Sequence, residues 1–387
     1  MKGSIRKPRY ANGAWGYRID LGYDDSGKRR QQQTGGFRTK KEAEAAMSEA
    51  LAGLHRGTYV APTRQTLRQF LETWIVAAKS ELAITAWTNY SNVLDRYVLP
   101  YLGGKLLTDL SPIDIKKWHG ELLDHGRKDG QPLAVNSVKL AHRVLHRALA
   151  DGVRWNIIPN NPASSVRLPK QPHREMEVWT PQQAADFICK LGEDRLVPLW
   201  SLALDTGMRR GELAGLRWSD IDLPNAVLTV SQQRTTANYE TVIAAPKARS
   251  QRQLHLAPPT VNGLHCHRKR QLAEKSRLGP AWTDSGYVFV DEAGHPLHPQ
   301  RVTKLFGEAI KKTGAPKIRL HDLRHTMATT ALAAGVHPKV VQEQLGHATI
   351  SVTLDTYSHL PQAIRSESAA IIASALRPQT VSDGGSS

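Results

Sequence analysis

The chain has 387 residues, of which 40% are hydrophobic and 22% are charged. That length allows two or three domains with a sizeable core, and that composition is ordinary for a globular protein. The formal charge of +17 at pH 7 is not ordinary. Because the excess of lysine and arginine extends over the whole chain, it favours a polyanionic partner, nucleic acid first, over a basic enzyme that only needs solubility.

The cysteines and the hydrophobic stretches exclude several other classes. Cys189 and Cys266 lie far apart in sequence, which is the spacing of neither a disulfide framework nor a zinc site and favours a reducing compartment. Residues 1–15 lack the apolar core of a signal peptide. The longest apolar stretch, residues 196–204, contains Pro198 and is too short to span a bilayer. We therefore expect a cytoplasmic protein with no membrane partner.

Residues 1–60 have the pattern of a small β-sheet followed by a helix. Hydrophobic and polar residues alternate from Trp15 to Ile19, turn residues follow, and a second, basic strand begins at Lys28. Thr39 and Glu42 have the spacing of a helix capping box. Such strands suit a DNA groove, although a solvated sheet with charged edges has the same pattern. The candidate DNA-binding residues are Trp15, Tyr17, Arg18, Lys28, Arg29 and Arg30.

Residues 61–173 predict a domain of four helices. Ser111 followed by proline marks the start of the third helix, and helical spacing of hydrophobic residues places the fourth at about 134–151. Lys139 and Arg143 lie off the apolar stripe of this fourth helix. They either clamp DNA phosphates or belong to a solvated face, and the sequence leaves both interpretations open.

Residues 174–375 predict a mostly helical domain with a small antiparallel sheet. Alternation at 227–231 and at 252–256 indicates two paired strands, with Lys247 in or beside the turn between them. Residues 376–387 are expected to form a disordered tail. The predicted fold class is α+β and multidomain: a small sheet plus helix, a helical domain, and a mainly helical domain with a small sheet.

Two arginines of the last domain suit phosphodiester chemistry. Its transition state gathers negative charge on the non-bridging oxygens, which planar guanidinium donors stabilise well. Arg209 precedes Glu212 by three residues, and His321 precedes Arg324 by three residues in a helical run. Either pair alone is also the pattern of an ordinary surface pair, so neither decides the function.

A predicted helix end supplies further candidates. Gly346 is a natural stop for a helix over 338–345 and leaves His347 at its end. Tyr357 follows on a short predicted helix, and a tyrosine becomes a nucleophile when neighbouring cations favour its phenolate. Lys247 can protonate a leaving alkoxide. Taken alone, however, Tyr357 has the pattern of a core aromatic and Lys247 that of any exposed lysine.

The order of these candidates is far more specific than any one of them. They are Arg209-x-x-Glu212, Lys247, His321-x-x-Arg324, Gly346-His347 and Tyr357. The surrounding sequence motifs are Thr206-Gly207-Met208-Arg209 and His321-Asp322-Leu323-Arg324-His325-Thr326. In this order and with these gaps the chain resembles the tyrosine recombinase (phage integrase) family. The resemblance is specific over 174–360. Residues 63–170 look like that family's core-binding domain, and residues 1–60 look like the arm-binding domain of its larger three-domain members.

The resemblance implies site-specific DNA recombination without metal or cofactor. Tyr357 would attack the scissile phosphate and form a 3′-phosphotyrosyl bond, and Lys247 would protonate the 5′ leaving oxygen. The residues implied to bind the phosphate or to move protons are Arg209, Arg324, His321 and His347, with Glu212 in support. Integration or excision of a phage or mobile element in a bacterial host is the implied role. A homotetramer on double-stranded core and arm sites is the implied assembly, with a host DNA-bending protein and an excisionase as candidate partners.

Three alternatives compete with this interpretation. A type IB topoisomerase shares the chemistry, but the arm-like residues 1–60 argue against it. A catalytically silent DNA-binding regulator of the same fold is disfavoured by the complete set of candidate residues. A metal-dependent transposase would need clustered carboxylates, which the sequence does not indicate.

Overall fold

The structure is a computed structural model, and it describes residues 3–7, 14–23, 27–55, 59, 63–170, 177–237, 240–244, 251–346 and 349. The chain divides into two compact units, residues 1–173 and residues 174–387. Among the described residues, no helix is both long enough and apolar enough to cross a membrane.

The first unit begins with a three-stranded antiparallel sheet and a helix. Strands β1 (Gly3–Arg6), β2 (Trp15–Tyr23) and β3 (Arg29–Phe37) pair in that order, and helix α1 spans Lys40–His55. Ile19 is fully buried in a small core with Tyr17 and Ala50. The predicted sheet and helix are confirmed. Strand β1 was not predicted, because four residues are too few to show an alternation.

The rest of the first unit is helical. Helices α2 to α6 span Leu67–Ala77, Ile84–Val93, Leu99–Leu102, Pro112–His125 and Val135–Arg154, with a π-helical stretch at Leu94–Val98 joining α3 to α4. Thr66 and Ser111 cap α2 and α5 with reciprocal capping boxes, which satisfy backbone N–H groups at each helix start. Trp74 and Trp118 are buried at the centre, and Trp74 Nε1 donates to Asp151 Oδ2 at 2.7 Å.

The second unit is mainly helical with a small sheet. Helices α7 to α13 span Pro181–Leu191, Val197–Thr206, Arg210–Gly215, Pro258–Leu278, Pro299–Thr313, Asp322–Ala333 and Pro338–Leu345. Its core contains four packed rings, those of Trp179, Phe187, Trp200 and Phe306. The predicted helix before Gly346 is confirmed, and Gly346 has the left-handed φ of +65° that such a cap requires.

The strands of the second unit are more numerous than predicted. Strands β4 (Ile221–Asp222), β5 (Val227–Val230) and β8 (Arg252–His255) form one antiparallel sheet in the order β4-β5-β8. The prediction of one turn between β5 and β8 was wrong. A second hairpin intervenes, made of β6 (Gln233–Ala237) and β7 (Glu240–Ala244). Strand β6 is mostly polar and β7 ends in a continuous hydrophobic run, so neither shows the alternation that would have indicated a strand.

Candidate active site

Arg324 joins two distant parts of the chain. Its side chain lies in the first turn of α12, and the residue is only 3% exposed. Arg324 Nη1 donates to Gly207 O at 2.8 Å, and Nη2 donates to Leu345 O at 2.6 Å. A buried guanidinium bound to two carbonyls is held in one orientation, as a group must be that stabilises a transition state.

Gly207 makes this arrangement sterically possible. It ends α8 with a left-handed φ of +62°. A Cβ at this position would lie 2.6 Å from Met327 Cε and 2.7 Å from Leu345 Cδ2. The Thr-Gly turn that the sequence places before Arg209 therefore serves both the chain reversal and the close packing of Met327 and Leu345 against it.

Glu212 is a buried carboxylate that orients Arg209. Its side chain is 2% exposed, and it accepts hydrogen bonds from Arg209 N and Arg209 Nη1, both at 2.9 Å. Burial alone would raise the pKa of Glu212, but the hydrogen bonds and charges of Arg252 and Arg209 hold it below its usual value. Arg209 is the more accessible partner, with 34% of its side chain exposed. Arg209 Nη2 also donates to Gly346 O at 3.1 Å.

Arg252 is a member of this cluster that the sequence analysis missed. It begins β8, and its side chain is 7% exposed. Arg252 Nη2 and Nη1 donate to the two oxygens of Glu212 at 2.8 and 3.2 Å, and Nε donates to Gln344 O at 2.6 Å. A signal was available: in the predicted strand Arg252 lies two and four residues before the inward Leu254 and Leu256, so strand alternation places the arginine on the same, buried face.

His321 occupies the N-cap position of α12, at the edge of the cluster. It lies at the surface, and its ring meets the ring of His325 edge-on at a centroid distance of 5.1 Å. Partial desolvation and the charge of Arg324 lower the pKa of His321. Desolvation and His321 lower the pKa of His325 to about 4. Both rings are therefore neutral at pH 7, and His321 can accept a proton or donate a hydrogen bond there.

Three of the predicted catalytic residues, Lys247, His347 and Tyr357, lie outside the described residues. In sequence, Lys247 falls between β7 and β8, and His347 directly follows Gly346. Within the described ranges, His, Cys, Asp and Glu form no group of three or more that could hold a metal ion. What the structure brings together is Arg209, Glu212, Arg324 and His321, with Arg252 added.

Three family models match this chain in succession. The Arm DNA-binding domain matches residues 4–53, the N-terminal SAM-like domain of phage integrases matches 66–123, and the phage integrase family matches 183–363. The chain belongs to the phage integrase family of tyrosine recombinases. It is a tyrosine-type site-specific DNA recombinase.

Known proteins resemble the recombinase over most of its length. An XerC-like tyrosine recombinase of Caldanaerobacter subterraneus subsp. tengcongensis is 29% identical over 380 residues, which is 92% of this chain and 95% of the relative. The solved structure of the Tn1549 transposon integrase with transposon right end DNA has a TM-score of 0.67 at 22% identity and covers 80% of this chain and 100% of that one. A lambda integrase tetramer bound to a Holliday junction has a TM-score of 0.55 at 19% identity and covers 91% and 94%. Both structures share the fold of the recombinase.

The sheet of the recombinase separates the predicted DNA-binding residues into two groups. Tyr17 is 5% exposed and stacks on Phe37, so its ring is not available to a DNA groove and its assignment as a DNA contact is corrected. Arg18 lies on the opposite face of β2, since successive side chains alternate. There Arg29 pairs with Asp20 at 2.6 Å, which partly compensates its charge.

The remaining DNA-binding candidates differ in exposure. Lys28 and Arg30 are exposed beside the start of β3, and Trp15 is half-buried with Lys7 Nζ 5.9 Å from its ring centroid. On α6, Arg143 is exposed and Lys139 is half-buried. Apart from Tyr17, each of the candidate side chains is exposed or half-buried.

Proposed function

We propose that the recombinase cuts and rejoins DNA through a 3′-phosphotyrosyl intermediate formed by Tyr357. The observation that carries this proposal is the convergence of two arginines on consecutive carbonyls. Arg324 donates to Leu345 O and Arg209 donates to Gly346 O, although the two arginines are far apart in sequence. Both guanidinium groups thus lie at the helix end that directly precedes His347 in the chain.

The proposed reaction needs only the chain's own residues. Tyr357 Oη gives its proton to the neutral His321 and attacks the scissile phosphorus, a phosphotyrosyl bond forms, and the bond to the 5′ oxygen breaks. The 5′ oxygen takes a proton from Lys247 as it leaves. Arg209 and Arg324 stabilise the charge on the non-bridging oxygens, and His321 and His347 hydrogen-bond the phosphate and transfer protons. Attack by a 5′ hydroxyl reverses these steps and rejoins the strand.

Glu212 supports this chemistry through Arg209. Its carboxylate fixes both the backbone N–H and the guanidinium of Arg209. Because the pKa of Glu212 is lowered, the carboxylate stays ionised at the pH at which the enzyme works. An ionised Glu212 only accepts hydrogen bonds, so it orients Arg209 without itself donating to the phosphate.

The proposed division of labour follows the three matched segments. Residues 1–60 bind arm-type sites, residues 61–173 bind the core site, and residues 174–375 carry the catalysis, with 376–387 as a tail. The open face of the β1–β3 sheet, which carries Arg18, supports the first assignment. We further propose a homotetramer on two DNA sites in the bacterial cytoplasm, assisted by a host DNA-bending protein and an excisionase during integration or excision.

Trapping of a covalent intermediate tests the proposal. A core site is first selected from random duplexes and rebuilt with a nick beside the scissile phosphate, so that the short 5′ product diffuses away. The enzyme should then form a protein–DNA adduct that resists SDS and is removed by protease, and the adduct should form equally well in excess EDTA. Tight DNA binding without any adduct would support the silent regulator instead, and cleavage that strictly requires magnesium would support a transposase.

A further inference from the structure

We propose that Arg252 is a positioning residue that fixes the geometry of the catalytic cluster. The proposal rests on the proposed function, because it concerns the same reaction. In this role Arg252 acts through other residues of the cluster and does not contact the DNA. Among the described residues, at least three of its N–H donors bind protein oxygens, at Glu212 and at Gln344, and its side chain is 7% exposed.

The position of Arg252 links three stretches of chain. Glu212, in α9, holds Arg209 just before that helix. Gln344 lies at the end of α13, three residues before His347. Arg252 itself begins β8, five residues after Lys247. Each of these stretches carries one residue of the proposed chemistry. A single guanidinium therefore sets how the start of α9, the end of α13 and the start of β8 are spaced.

The close approach of the backbone at Gly346 strengthens this link. A Cβ at Gly346 would lie 3.2 Å from Arg252 Nη1. The Gly346 carbonyl in turn accepts from Arg209. Arg252 thus packs against the same peptide that orients Arg209, so a shift of Arg252 changes both the Glu212 and the Gly346 contacts of Arg209.

The positive charge of Arg252 is the second part of its positioning role, because it keeps the buried Glu212 ionised. Glu212 is 2% exposed and has two arginine partners, of which Arg252 is the more buried. Without Arg252 the buried carboxylate would keep, among the described residues, the partly exposed Arg209 as its charged partner, and its pKa would rise. A protonated Glu212 would no longer hold Arg209 by two charge-assisted hydrogen bonds. Loss of Arg252 should therefore make catalysis sensitive to acid.

The test compares Arg252→Gln, Arg252→Lys and a matched control in adduct formation at saturating DNA. Arg195→Gln is the control, because Arg195 makes a similar ion pair with Glu274 at 2.7 Å and bonds two carbonyls outside the cluster. Arg252→Gln should bind the core site within about twofold of the parent. Its adduct rate should fall about 100-fold, the scale of losing one preorganised donor. Arg252→Lys should restore part of that rate, and Arg195→Gln should keep the parent rate per folded molecule.

The pH profile distinguishes positioning from general loss of structure. The rate of Arg252→Gln should fall more steeply than the parent rate as the pH is lowered from about 8 to about 6. Adding Glu212→Gln to Arg252→Gln should abolish this extra acid dependence. Equal rates for Arg252→Gln and Arg195→Gln, or a rate loss without acid dependence, would overturn the proposal. A parent enzyme that forms no adduct would instead remove the proposed function, and this inference with it.

Discussion

Arg324 Nη2 lies 2.6 Å from the carbonyl oxygen of Leu345, and this bond ties the first turn of α12 to the last turn of α13. The carbonyls at a helix C-terminus carry partial negative charge, so the guanidinium also caps α13. The arginine that we assign to the scissile phosphate is therefore oriented by the helix that leads to His347. Substrate binding and helix position are coupled at this contact.

Replacing Arg324 with lysine should nearly abolish covalent adduct formation. A lysine cannot bridge Gly207 O and Leu345 O while also presenting a planar fork to a phosphate. We expect the adduct rate to fall by roughly 10²–10³-fold, with core-site affinity reduced much less. The rate is measured under single-turnover conditions. Arg210→Ala is the control, because Arg210 is the exposed neighbour of Arg209 that bonds Thr303, and a similar loss in that variant would contradict a specific role for Arg324.

Gly207→Ala should destabilise the second unit and impair catalysis. The left-handed φ of +62° is unfavourable for alanine, and its Cβ would clash with Met327 and Leu345. Gly314→Ala is a matched control, since Gly314 ends α11 in the same left-handed conformation, with a φ of +67°, and has nothing within 4 Å of a new Cβ. Strain alone should cost about 1–2 kcal/mol in both variants, and the clash should add further loss only in Gly207→Ala. Urea unfolding measures both, and equal losses would show that the packing around Gly207 is unimportant.

The sequence predicted local features better than long-range ones. Gly346 ends its helix as predicted because a left-handed cap depends on the residue itself. The pairing of Arg252 with Glu212 was not predicted, because spacing along the chain does not tell which arginine meets a carboxylate from another element. Tyr17 was assigned to DNA from its aromatic character, whereas its place in the strand alternation put it in the core. In both failures strand alternation indicated the buried face, whereas the partner of the side chain on that face depends on a tertiary contact.

The helical part of the first unit should lose stability in mild acid because of His119. This residue is 1% exposed, its Nε2 lies 3.1 Å from His142 Nδ1, and its Nδ1 has no hydrogen-bond partner in the part of the chain that the structure describes. Desolvation, with His142 and Lys116 nearby, lowers the pKa of His119 from 6.5 to about 4. Between these values the unfolded chain binds more protons, so stability is full above about pH 6.5 and declines towards pH 4.

Urea unfolding of the enzyme at several pH values tests this prediction. His119→Phe removes the titrating group while keeping an aromatic ring at the position, so it should reduce the loss of stability between about pH 6.5 and about pH 4. His125→Phe is the control, because His125 is exposed on the same helix. An unchanged acid dependence in His119→Phe would assign the effect to other groups.

Deleting residues 1–60 should separate binding of arm-type sites from cleavage of core sites. The remaining chain should cleave core sites weakly and lose all affinity for arm-type sites, because the β1–β3 sheet is removed. Footprinting and the nicked-substrate assay measure the two activities. Affinity of the intact enzyme should also fall steeply with salt, since many lysines and arginines displace counterions. Full arm-site affinity in the truncated chain would show that the first sixty residues have another role.

Replacing Tyr357 with phenylalanine should remove the adduct and leave DNA binding intact. The change deletes one oxygen and keeps the ring, so any packing role survives while the nucleophile is lost. Parent adduct digested with protease should yield a peptide that carries DNA on Tyr357 through a 3′ phosphate. Tyr287→Phe is the matched control, since Tyr287 is buried at 7% exposure between Arg217 and Arg234 and should not affect the adduct. An adduct that persists in Tyr357→Phe would assign the nucleophile to another residue, while the contacts of Arg209 and Arg324 would still locate the phosphate.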